Sequence, residues 1–246
     1  MHRFFVKQKW MAGRTATIRG QEARHMVHVL RLRIGDLVEL VDDGGAVYKA
    51  TIEKIDGESI TLSVGEPRHS HRESPVRITL AQAYLKDRKM DRLIRQLTEL
   101  GITRWIPFPT ERSVSRPDHR RLSNRVARWK KISREALKQS RRNHPPSIQP
   151  FPSYAAILDE AKTSEVRVVF CEKARQPLAP SRAPSGVVTS VFVLVGPEGG
   201  FTAREIVAAI SRSFSSVSLG PRILRAETAA MAAIALIQYL YGDLGI

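Results

Sequence analysis

The stretch LVGPEGGFT, Leu194 to Thr202, sets Gly196, Glu198, Gly199 and Gly200 directly after an apolar run, VFVLV, and directly before a helix-like segment. Glycine permits backbone conformations and close approaches that a Cβ would block, so such a loop either turns sharply or lays bare backbone against a ligand. No Gly-Lys-Ser/Thr follows, and the G-x-G-x-x-G spacing is missing, which argues against a triphosphate loop and a dinucleotide fingerprint. A second stretch, SLGPRILRAETAAMAAIALIQ from Ser218 to Gln238, repeats the plan: short strand, Gly-Pro turn, nearly charge-free helix. At neighbouring strand ends the two loops would form one site. Their amides and carbonyls would bind a nucleobase edge, and Leu194, Leu219, Ile223 and Leu224 would supply apolar walls. Arg225 and Glu227 stand beside the second loop, able either to act on a reacting base or to pair with each other. Cys171, the one cysteine, ends a strand-like run and reads as a buried small hydrophobe rather than a nucleophile.

Elements that would position these groups follow from periodicity. Thr202 and Glu205 have capping-box spacing, so a helix should start directly after the first loop. VRITLAQA, ITRWIPF, VRVVFC, VFVLV and SVSL read as strands separated by helical stretches, one of which spaces Met90, Leu93, Ile94, Leu97 and Leu100 on a single face before Gly101. Such alternation implies an α/β domain with a mainly parallel sheet, whose ligands sit at the carboxyl ends of the strands. Residues 1–72 differ. VELVD, AVYKATIEKI and SITLSV, broken by Asp-Gly turns, point to a small antiparallel barrel or sheet, and HSHRESP, His69 to Pro75, reads as a linker into residues 73–246. The final helix, apolar almost all round, must be covered by the core or by a second subunit.

The chain carries a formal net charge of +16, which favours a polyanionic partner. Between Thr103 and Pro145 there are 13 Lys or Arg against three acidic residues. Leu122, Val126, Trp129, Ile132 and Ala136 form an apolar stripe there, leaving Arg125, Arg128, Lys131, Arg134, Lys138, Arg141 and Arg142 to point mostly outward. A solvated helix face usually mixes both signs, so this segment reads as an RNA surface; no helix-turn-helix, zinc-finger or basic-zipper pattern suggests duplex DNA. No run reaches the roughly 20 apolar residues of a membrane span, and MHRFFVKQKW sets charges where an apolar signal region would lie. With a single cysteine, these features suggest the cytosol.

These residues resemble the RsmE family of 16S ribosomal RNA uridine-N3 methyltransferases, of the SPOUT (trefoil-knot) superfamily. The likeness runs through MHRFF, HMVHVLRLRIGD, RESPVRITLAQA, KMDRLIRQLTELGITRWIPFPTERSV, EALKQSRRNHPP, LVGPEGGFTAREI and LGPRILRAETAAMAAI. It implies a PUA-like RNA-binding β-barrel in 1–72 and a SPOUT methyltransferase domain with a C-terminal knot in 73–246. It further implies S-adenosyl-L-methionine as cofactor, with no metal and no membrane, a homodimer, and a target uridine near the decoding site of the 30S subunit. Cofactor contacts would come from Glu172, Leu194, Gly196, Glu198, Gly199, Gly200, Leu219, Gly220, Ile223, Leu224 and Arg225. Arg3, Arg31, Lys89, Arg112, Arg141, Arg142 and Asn143 would face RNA, and Arg225 and Glu227 would serve the chemistry. Ser140 and Arg141 stand where the family carries small residues. A non-catalytic ribosome-assembly factor, a nucleotide-dependent enzyme, or the same fold acting on another ribosomal or transfer RNA site remain the alternatives.

Overall fold

The computed structural model describes residues 1–68, 72–86, 88–114, 117–179 and 186–245; His69 to His71 of the expected linker lie outside them. The chain forms two compact units, Met1–Glu73 with Lys138–His144, and Ser74–Leu137 with Pro145–Ile246.

The first unit is built on strands β1 (His2–Phe5), β2 (Met11–Ala12), β3 (Thr15–Arg19), β4 (Leu37–Val41), β5 (Val47–Asp56) and β6 (Ser59–Arg68), with a short helix α1 (Gln21–Arg24). Their order in one sheet is β1-β4-β5-β6-β3-β2. All neighbours pair antiparallel except β1 with β4, a parallel pair that the turn-separated runs in the sequence did not suggest. Alternation puts Val38 and Leu40 of β4 and Ile60, Leu62 and Val64 of β6 into one core with Phe4, Ile18 and Met26. Lys138–His144 joins this unit through buried polar contacts, although the sequence placed it wholly in the second domain. Arg142 Nη2 donates to Glu73 Oε2 at 2.6 Å, the Asn143 amide donates to Glu73 Oε1 at 2.7 Å, and Arg3 donates to Asn143 Oδ1.

The second unit holds β7 (Arg77–Ala83), α2 (Lys89–Glu99), β8 (Arg104–Phe108), α3 (His119–Ser140, whose last turn belongs to the first unit), β9 (Ser147–Ile148), α4 (Tyr154–Glu160), β10 (Val166–Phe170), β11 (Ser190–Val195), α5 (Ala203–Ser211), β12 (Ser215–Val217) and α6 (Ala226–Tyr241). The strands make one parallel sheet in the order β12-β10-β11-β7-β8-β9. Every residue of β11 is buried, as expected of a central strand covered on both faces. Val191, Val193 and Val195 pack with α2, α3 and α6; Phe192 and Leu194 face the other way, toward Ile157, Leu158, Ala209 and Phe214. The stripe on α3 is anchored by Trp129, whose ring meets Trp105 edge-on with centroids 5.0 Å apart. Its indole N–H donates to Asp91 at 3.0 Å, so this buried donor is satisfied. Among the described residues, no helix is long and apolar enough to cross a membrane.

Candidate functional site

A cavity of about 430 Å³ opens at the carboxyl ends of three adjacent strands, β11, β10 and β12. The two glycine loops are therefore not immediate neighbours, as the sequence suggested; β10 lies between them and contributes Phe170 to Lys173 to the wall. Crossover connections explain this, since strands consecutive in a chain need not be consecutive in a parallel sheet.

The first loop turns at once into α5. Thr202 accepts from the Glu205 amide at 3.2 Å, and Glu205 accepts from the Thr202 amide at 2.8 Å, completing the capping box. Glu205 is buried and its second oxygen accepts the Glu111 amide, so the α5 end is tied to the segment after β8. Gln82, at the end of β7, donates to the Gly196 carbonyl at 3.1 Å, and Arg112 Nη1 donates to the Gly199 carbonyl at 2.9 Å. Glu198 accepts from the Lys86 amide at 3.1 Å and from Lys89 Nζ at 3.0 Å. Burial alone would raise the Glu198 carboxyl; these hydrogen bonds, with its own amide and the Lys89 charge, outweigh it and hold the group below the usual carboxylate range. Hydrogen bonding to Glu198, its largest influence, raises the Lys89 ammonium above the usual lysine value.

Glycine requirements differ along the loop. A Cβ on Gly196 would lie 3.3 Å from the Gly200 carbonyl carbon and from Phe201, and Gly200 has φ +66°, so both positions favour glycine, the first by crowding and the second by backbone angle. A Cβ on Gly199 would meet only Arg112, at 3.4 Å, and Gly199 is not on the cavity wall. The second loop is more open. Ser218 Oγ holds the Gly220 amide at 3.1 Å, Gly220 has φ +105°, and Ile223 is 83% exposed at the cavity edge.

Of the residues expected at the cofactor, Glu172, Gly196, Glu198, Gly200, Leu219, Gly220, Ile223, Leu224 and Arg225 line the cavity. Leu194 does not: strand alternation turns it into the opposite core, and Val195 takes its place at the wall. Glu227 is also off the wall and does not pair with Arg225; its Oε2 lies 3.4 Å from Lys89 Nζ. Cys171 lines the wall half-buried rather than sitting in the core. Lys89 and Arg112, expected to face RNA, are cavity residues that also hold the first loop.

Three more residues expected to face RNA are turned inward: Arg3, Arg142 and Asn143 are 8%, 4% and 5% exposed, and their polar groups are engaged within the first unit. Lys138 likewise turns to Glu22, at 2.7 Å, instead of outward. A buried charge is costly unless paired, and each of these side chains has its partner. Arg31 and Arg141 are exposed, each with a left-handed backbone. Sequence reasoning missed Phe170, Lys173, Val195, Phe201, Ser218 and Arg222 at the wall. VRVVFCEK carried the missing signal, since it is another strand end in the same sheet. Five cationic side chains, Lys89, Arg112, Lys173, Arg222 and Arg225, line the cavity against two carboxylates, Glu172 and Glu198, so its rim attracts anions.

Known proteins resemble this chain along nearly its whole length. Residues 72–238 match the model of the RNA methyltransferase domain, and residues 18–65 match that of the RNA methyltransferase PUA domain. The ribosomal RNA small subunit methyltransferase E of Bacillus subtilis is 31% identical over 249 residues, covering 97% of this chain and 96% of the relative. Its counterpart from Synechocystis is 32% identical, covering 97% of this chain and 78% of that protein. The crystal structure of a ribosomal RNA small subunit methyltransferase E from Neisseria gonorrhoeae, bound to S-adenosyl methionine, matches with TM-score 0.88 at 32% identity, covering 99% of each chain.

Proposed function

Because the chain belongs to the ribosomal RNA small subunit methyltransferase E family, we propose that it methylates N3 of one uridine of 16S ribosomal RNA near the decoding site, with S-adenosylmethionine as donor. The observation that carries this reading is the cavity at the ends of β10 to β12, edged by a loop in which Gly196 is crowded at its Cβ position and Gly200 holds a left-handed backbone angle. Its volume, about 430 Å³, and its mixture of bare backbone with Leu219, Ile223 and Leu224 suit a nucleoside-sized ligand.

The residues fit the cofactor. Backbone of Gly196 to Gly200 and of Leu219 to Leu224 would hold it, and apolar side chains would keep water from the reacting centre. When bound, S-adenosylmethionine supplies an activated methyl group on a sulfonium. The chain's own work is alignment, because a well-oriented pair of reactants gains far more than any single contact provides. Uridine N3 carries a proton, so the attacking form is the base that has lost it. Arg225, on the wall and exposed, would stabilise negative charge on a uracil carbonyl and so favour release of that proton to solvent. Glu227 would act through Lys89, not on the base. No cysteine adduct is needed for attack by nitrogen, so Cys171 would serve as wall.

The basic face of α3, Arg31 and Arg141 would contact RNA, and the assembled 30S particle would be the substrate in the cytosol. A homodimer would cover the exposed apolar side of α6, where Leu236 is 41% and Tyr239 65% exposed. Calorimetry with S-adenosylmethionine, paired with transfer of its labelled methyl group to 30S particles, tests the reading. Binding with transfer supports it, whereas RNA binding without cofactor binding would leave a non-catalytic assembly factor.

A further inference from the structure

We propose that Lys89 is a positioning residue of the cofactor cavity, not an RNA contact: its ammonium ties Glu198 of the first loop to Glu227 in the first turn of α6. The proposal deepens the functional reading above and rests on it. Three segments far apart in sequence meet at this one atom. Lys89 opens α2, Glu198 lies in the loop after β11, and Glu227 lies just past the second loop. Lys89 Nζ stands 3.0 Å from Glu198 Oε1 and 3.4 Å from Glu227 Oε2. All three side chains are largely withdrawn from solvent, at 30%, 28% and 22% exposure, so the attraction is less screened than between surface charges.

The geometry has a direction. Glu198 and Lys89 line the cavity, while Glu227 stands behind Lys89 and does not line it. Glu227 Oε2 is enclosed, and Lys89 is the cation that offsets its charge. The Lys86 amide bonds the same Glu198 oxygen at 3.1 Å, which fixes that carboxylate against the start of α2. An ammonium held between two carboxylates is poorly placed to meet a phosphate. It is well placed to set the spacing between the first loop and the α6 end that follows the second.

Glu227 does not line the cavity, and a variant cycle tests whether its effect on cofactor affinity passes through Lys89. Four proteins separate the possibilities: wild type, Lys89→Met, Glu227→Gln and the double variant. Each is titrated with S-adenosylmethionine by calorimetry and with 16S RNA by filter retention, with melting curves to establish folding. Lys89→Met should weaken cofactor binding by roughly tenfold and leave RNA affinity within about twofold. Glu227→Gln should weaken cofactor binding on its own and add nothing once Lys89 is gone. Should Lys89→Met fold poorly, Lys89→Gln replaces it, since it also removes the charge, and the same lack of additivity is required. Unchanged cofactor affinity with lost RNA affinity would return Lys89 to the RNA surface and overturn the proposal. Equal losses from Glu227→Gln in both backgrounds would also overturn it. A wild-type protein that binds no cofactor would instead refute the functional reading itself.

Discussion

At the scale of the residue, the glycines divide into those that crowding or a left-handed backbone favours and those with ordinary surroundings. Gly200→Val should lower S-adenosylmethionine affinity at least tenfold while RNA affinity holds, because a left-handed position costs a branched side chain about 1–2 kcal/mol before any contact with ligand. Gly199→Ala is the control. Its Cβ meets only Arg112 at an ordinary distance, so calorimetry should find affinity within about twofold of wild type. Equal losses in both would remove the distinction. Glu198 yields a pH dependence. Its folded value is depressed, so its contribution to stability is complete above the ordinary carboxylate range and fades as pH falls through the lowered value. Melting temperatures of wild type and Glu198→Gln should therefore converge on acidification; a gap that stays constant would contradict the pairing. The sequence located the bare backbone, but not which neighbour faces the cavity. VFVLV is apolar throughout, and an all-apolar strand carries no alternation to say that Val195, rather than Leu194, points to the cavity.

At the scale of the element, α6 separates core from exposed face. Ala233 is fully buried within its own chain and so belongs to the core rather than to an interface, whereas Leu236 and Tyr239 are exposed. Ala233→Glu should destabilise the fold by at least about 2 kcal/mol through an unpaired buried charge. Leu236→Glu with Tyr239→Glu should yield a folded monomer by light scattering; a folded dimer would move the interface elsewhere. Helix starts and faces were legible in the sequence. Thr202 and Glu205 form the capping box their spacing announced, and Trp129 anchors the stripe on α3. Sheet order was not. Nothing local to VRVVFC states that β10 lies between β11 and β12, because that adjacency is a long-range property of the crossovers. The inward turn of Lys138 and Arg142 was hidden for the same reason. Their partners, Glu22 and Glu73, lie far away in sequence.

At the scale of the whole molecule, the net charge of +16 attracts RNA, and the cavity decides what happens to it. If about six phosphates are neutralised, log affinity should fall with log salt at a slope near −4 by the single-strand rule, and replacing exposed Arg134 and Arg141 should flatten it by about 0.7 for each phosphate no longer neutralised. A slope that both substitutions leave unchanged would take those positions off the RNA surface. Charge alone would fit an assembly factor equally well. The cavity edged by Gly196, Gly200 and Gly220 is the feature that an assembly factor has no use for. The most direct measurement is therefore mass spectrometry of nucleosides from 30S particles lacking the modification, after incubation with the protein and methyl-deuterated S-adenosylmethionine. A deuterated 3-methyluridine, formed once per particle and absent with Gly200→Val, is the expected product. No labelled nucleoside, or label on a different base or on carbon, would contradict the central claim.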